Sequence, residues 1–150
     1  ITITALGQAL IYGTAPNTNA LLNTTYSFFC SDGCSSSVIT AGPSFSFSGG
    51  PGMSASGNYR AGNWTITPSG VTVSNAYTIN YVTGTLAVAA RALTLSGLAA
   101  LDKTYDGTTA ATLTGTAALN GAVGGDTVTL AGTATGSFAT RQAALGKTVS

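Results

Sequence analysis

Trp64-Thr65-Ile66-Thr67, then Pro68-Ser69-Gly70, then Val71-Thr72-Val73-Ser74, and beyond it Tyr77-Thr78-Ile79-Asn80-Tyr81-Val82 and Thr85-Leu86-Ala87-Val88, decide the fold. Apolar and small polar residues alternate here with a period of two, the period of a strand with one buried and one wet face. Proline, serine and glycine interrupt the alternation too often for a helix to propagate. The stretch therefore predicts consecutive short strands joined by tight turns.

The same texture extends both ways. Upstream, Ile1–Thr4, Tyr26–Phe29 and Ser44–Ser48 read as strands, with turn signals at Tyr12-Gly13, Ser31-Asp32-Gly33 and Ser48-Gly49-Gly50-Pro51-Gly52. Only residues 17–22 leave room for a short helical turn. Downstream, Leu93–Ser96, Ala111–Thr114, Thr127–Ala131 and Lys147–Ser150 read as strands around Asp106-Gly107, Asn120-Gly121 and Gly124-Gly125-Asp126. The pattern also restarts. Ile1-Thr2-Ile3-Thr4 followed by Ile11-Tyr12-Gly13-Thr14-Ala15 is echoed by Leu93-Thr94-Leu95-Ser96 followed by Thr104-Tyr105-Asp106-Gly107-Thr108. The expectation is an all-β chain of two small tandem modules, residues 1–92 and 93–150. An immunoglobulin-like β-sandwich is the preferred architecture, and a β-grasp-like sheet with a helix at 17–22 is the alternative for the first module.

Chemically the chain is sparse. It has 150 residues, no histidine, four acidic residues (Asp32, Asp102, Asp106, Asp126) and five basic ones (Arg60, Arg91, Lys103, Arg141, Lys147). General acid–base chemistry and metal ligation draw mostly on residue types that are nearly absent. A serine nucleophile has no histidine base and would need Lys103 or Lys147 from turn-like sequence. Asp102, Asp106 and Asp126 match no calcium-loop spacing and read better as turn and pairing residues. We therefore expect no enzyme activity, no cofactor and no bound metal. A formal charge of +1 gives nucleic acid no basic patch to hold, and no apolar run is long enough for a membrane-spanning helix. The chain opens directly in a strand-like run with no leader, as a mature or excised segment does.

Six tyrosines, five phenylalanines and a tryptophan distinguish the chain from a disordered one, and serine, threonine, glycine and asparagine supply a polar exterior almost without charge. That exterior, with a cysteine pair, points to an extracellular or cell-surface location. Cys30 and Cys34 flank Ser31-Asp32-Gly33, a turn that brings the two sulfurs together, so a local disulfide is expected rather than a zinc site or redox motif. Tyr59, Trp64, Tyr77 and Tyr81 have two readings: an exposed sugar-stacking face, or the filling of a small core, with core packing preferred. Asn23-Thr24-Thr25 and Asn63-Trp64-Thr65 fit the glycosylation sequon, which is short enough to arise by chance.

Lys103-Thr104-Tyr105-Asp106-Gly107-Thr108-Thr109-Ala110-Ala111-Thr112-Leu113, followed by Gly125-Asp126-Thr127-Val128-Thr129-Leu130 and Gly136-Ser137-Phe138-Ala139, resembles the YDG domain of secreted bacterial adhesins. Tyr12-Gly13-Thr14-Ala15-Pro16, Gly57-Asn58-Tyr59, and Asn75-Ala76-Tyr77-Thr78-Ile79-Asn80-Tyr81 leading to Gly84-Thr85-Leu86-Ala87-Val88 are similar to the MBG domain, often its neighbour in tandem arrays. The Cys30–Cys34 loop and the glycine-rich Gly49–Gly57 stretch are longer than that family's pattern. The two resemblances imply a structural repeat of a large filamentous-haemagglutinin-like surface protein, serving as stalk or fibre, with the second module incomplete at its C-terminal end and completed either by residues that follow in the same polypeptide or by a strand from another chain. The alternative is an adhesive module for glycan or host protein. The partners implied are neighbouring modules of the same protein, identical chains in a filament, or a glycan or host surface, with no nucleic acid and no membrane insertion.

Overall fold

The computed structural model describes residues 1–19, 24–74 and 77–150. It is all-β: among the described residues there is no α-helix, and one 3-10 turn, Ser36–Val38, is capped by the Ser35 hydroxyl. Residues 20–22 of the helical alternative lie outside the described residues, and 17–19 form no helical turn. The chain divides into two compact units, residues 1–91 with Gly124–Asp126, and residues 92–123 with 127–150.

In the first unit the strands are β1 (Thr2–Ala5), β2 (Gln8–Ile11), β3 (Tyr26–Phe29), β4 (Ile39–Ala41), β5 (Ser44–Ser48), β6 (Gly62–Ser69), β7 (Thr72–Val73), β8 (Asn80–Val82) and β9 (Gly84–Ala89). They form a three-stranded sheet β3-β1-β8, a four-stranded sheet β2-β9-β6-β5 and the pair β4-β7. Two parallel ladders tie the first two sheets together. Thr2 pairs with Asn80 in one and Gln8 with Leu86 in the other, so the register is carried unbroken from sheet to sheet. At that crossing Gly84 lies so close to β1 that a Cβ there would sit 2.5 Å from the Ala5 carbonyl oxygen.

Alternation decides which side chains go inside. Along β6, Trp64 and Ile66 point inward and Asn63 and Thr65 outward; along β9, Leu86 and Val88 point inward and Thr85 and Ala87 outward. With Ala5 these four inward residues make one core, against which Leu10, Tyr12, Phe45, Phe47 and Tyr59 pack. The second core joins Ile3 and Tyr26 of the three-stranded sheet to Val71, with Ile39, Phe45 and Val73 contributing from the opposite layer. Each fully buried side chain such as Ile3, Ile66 or Leu86 contributes roughly 1.5–3 kcal/mol of transfer free energy. Several small sheets gathered around two cores make the all-β fold that the strand pattern predicts.

The second unit is built differently. Its strands are β10 (Thr94–Ala100), β11 (Ala110–Ala111), β12 (Leu113–Asn120) and β13 (Gly136–Ser137), in two separate pairs, β10-β12 and β11-β13. The β10-β12 ladder sets Leu95 across from Leu119 and Ala100 across from Leu113, with an irregularity between Ser96 and Leu98. Gly97 and Gly115, both at positive φ, close that irregularity; a Cβ on Gly115 would lie 2.1 Å from the Gly97 carbonyl oxygen. No residue of this unit is buried. Leu93, Leu95, Leu101, Val128, Leu130 and Leu145 are all exposed.

One expected strand is corrected here. Thr127–Ala131 has the alternation of a strand, yet it is irregular and joins no ladder. Strand stability comes from cross-strand partners and a covered face, and the second unit supplies this segment with neither. Lys147–Ser150 is reduced to a single bridge, Val149 to Phe138, flanked by reciprocal backbone hydrogen bonds between Ser137 and Ser150.

Candidate functional site

The expected site residues resolve as follows. A disulfide joins Cys30 to Cys34, with the Gly33 amide donating to the Cys30 carbonyl and Gly33 in the left-handed region. The ring it closes is short, and the loop-entropy relation assigns so short a ring at most about 2 kcal/mol. Reduction should therefore lower stability by no more than that, measured as the shift in denaturant midpoint with and without reductant.

The four aromatics are not an exposed stacking face, which corrects that reading. Trp64 is buried, its Nε1 donating to the Arg60 carbonyl at 3.0 Å, and Tyr59 packs edge-on against it at 5.0 Å and against Phe47 at 5.4 Å. Tyr81 packs on the second core, and its hydroxyl accepts the Val71 amide at 2.9 Å. Tyr77 is half-buried. The strand alternation that makes these rings regular in sequence also turns Trp64 inward beside Ile66. Phe29 and Tyr105 are the exposed rings instead, at 66% and 67%.

Of the chain's nine charged residues, five line one groove in the second unit: Asp102, Lys103, Asp106, Arg141 and Lys147. The groove has a volume of about 470 Å³ and is lined by two segments, residues 100–106 with 108, and Phe138 with 140–147 and Val149. Its first wall is held by one lysine. Lys103 Nζ pairs with Asp106 Oδ1 at 2.8 Å and donates to Thr108 Oγ1 at 2.7 Å and to the Ala110 carbonyl at 2.9 Å. Asp106 Oδ1 in turn accepts the Thr108 amide at 2.9 Å, an aspartate-capped turn. Lys147 holds the other wall by donating to the Thr140 and Gln142 carbonyls, with its Nζ 5.9 Å from the centre of the Phe138 ring.

These contacts set the electrostatics. The Lys103 hydrogen bond, then the Thr108 amide, hold the Asp106 carboxyl down at about 2, below its ordinary 3.8. A depressed folded-state value means the brace contributes fully above the ordinary value and is lost as pH falls through the folded one. The turn should therefore stay closed at pH 4 and open only toward pH 2, followed by the carboxyl carbon shift of Asp106 in NMR. In the first unit, the Ser56 and Tyr12 hydroxyls hydrogen-bond the Asp126 carboxylate and hold it below the usual range. Among the described residues, Asp102 and Arg141 form no hydrogen bond or ion pair.

Sequence reasoning missed this groove. The signal was present in the spacing: Lys103, Asp106 and Thr108 stand at the separations of a braced turn, and the charges of an almost uncharged chain gather in 102–106 and 141–147.

Comparison with known proteins finds a YDG domain at residues 89–150. No MBG domain is found on the preceding residues. No curated protein and no solved structure matches the chain.

Proposed function

We infer that this chain, with a YDG domain at residues 89–150, is a non-catalytic structural repeat of an extracellular bacterial surface protein, a stalk or fibre module. In this reading the second unit takes its core from a neighbour, either the next module of the same protein or an identical chain. The observation that carries it is that no residue of the second unit is buried, while the first unit has two cores. A unit of this size whose apolar side chains, such as Leu98, Leu113, Leu119 and Phe138, are at best half-buried has little to offset the entropy of ordering its chain. Its β10-β12 pair leaves an outer edge on each strand, with the exposed leucines beside them, and strand addition satisfies both needs at once. The low charge and the short disulfide loop suit a surface exposed outside the cell. The strand-and-turn pattern of Ile1–Ala15 that restarts at Leu93–Thr108 is what a tandem array would show.

Light scattering across a concentration series, with negative-stain imaging of the same samples, tests strand exchange between chains. Mass that rises with concentration, and fibres with subunits of this chain's mass, are the expected result. A monodisperse monomer at every concentration argues for completion within one polypeptide. A second reading, an adhesive module, is favoured by the charged groove with Tyr105 exposed on its wall.

A further inference from the structure

We propose that the groove of the second unit binds a sugar that carries a carboxylate, such as a uronic acid. The proposal rests on the adhesive reading and names the ligand that reading lacks. The groups already committed define what is left for a ligand. Lys103 spends all three of its N–H donors on Asp106, Thr108 and Ala110, and its charge is matched by Asp106, so this pair shapes the wall and does not recruit an anion. Lys147 spends two donors on carbonyls, keeping one donor and its full charge. Arg141 and Asp102 keep everything, so the uncommitted groups carry two positive charges and one negative.

That set suits an acidic sugar. The guanidinium of Arg141 has the planar fork that matches a carboxylate in two parallel hydrogen bonds, and Lys147 adds a second positive charge on the same wall. Tyr105, two-thirds exposed, offers its ring to the C–H face of a pyranose, and aromatic rings give much contact area at little cost in conformational freedom. Asp102 and the Gln142 side chain supply acceptors and donors for ring hydroxyls. A purely apolar ligand would leave Arg141 and Asp102 unanswered, and a simple inorganic anion would leave Tyr105 unused.

Saturation-transfer NMR on the whole chain with methyl glucuronide and methyl glucoside tests the proposal. Transfer from the glucuronide is expected, with the glucoside about tenfold weaker, and the difference should shrink as salt screens the charges. Arg141→Gln should bring the two sugars level, Tyr105→Ala should abolish transfer from both, and Tyr105→Phe should retain it. Asp102→Asn should tighten the glucuronide by removing a like charge. Both Tyr105 and Arg141 are exposed, and unchanged far-UV circular dichroism verifies that each variant is folded. Equal binding of the two sugars by the unmodified chain overturns the carboxylate proposal while leaving the adhesive reading in place. No transfer from either sugar removes the proposal together with the glycan form of that reading.

Discussion

Trp64→Ala should destabilise the first unit by about 3–5 kcal/mol, the cost expected for truncating a buried tryptophan. Trp64 stands in β6 between the paired strands β5 and β9, packs against Tyr59, and fills the space over Gly50, where even a Cβ would fall 2.1 Å from its ring. Its removal leaves a hole between Gly50 and the side chains of the first core, and deprives the Arg60 carbonyl of its donor. Because small domains hold only about 5–15 kcal/mol in total, the loss should shift the denaturant midpoint by a large fraction of its value, read by far-UV circular dichroism. A change below 1 kcal/mol would show that Trp64 is not enclosed as described.

Gly84→Ala should also be costly, at about 1–3 kcal/mol, for a steric reason independent of backbone torsion. The added methyl would meet the Ala5 carbonyl oxygen at 2.5 Å and the Leu6 carbonyl oxygen at 3.1 Å, both main-chain atoms that move only if the ladder moves. Those ladders carry the register from one sheet of the first unit to the other. The variant should lose stability and also amide protection in β1, β2, β8 and β9 together, measured by hydrogen exchange. Gly70→Ala is the control: it would meet no atom within 4 Å, and its penalty should come from its positive φ alone.

Most strands of the first unit were legible from apolar residues recurring every second position; the three-residue β4, Ile39–Ala41, is too short to show that period. Tyr26–Phe29 and Ser44–Ser48 form over the residues that alternation marks. Strand β2 escaped because Gln8-Ala9-Leu10-Ile11 ends in two adjacent apolar residues, and its place is set by pairing with β9 rather than by local pattern. In the second unit the logic inverts. Thr127–Ala131 alternates well and forms no strand, since alternation specifies which face a strand would bury and not what it is buried against. The groove was hidden for a related reason: 102–106 and 141–147 are separated in sequence, and local pattern does not show that both line one groove, each shaped by its own lysine.

The central claim is that the second unit gains its core from a neighbour, and residue-resolved hydrogen exchange of the whole chain over a concentration series tests it most directly. The account predicts that β6 and β9 amides are protected at every concentration. The β10 and β12 amides should exchange rapidly in dilute chains and become protected as assemblies form. Strong protection of β10 and β12 in a dilute, monodisperse monomer would contradict it, since the second unit would then hold itself together unaided.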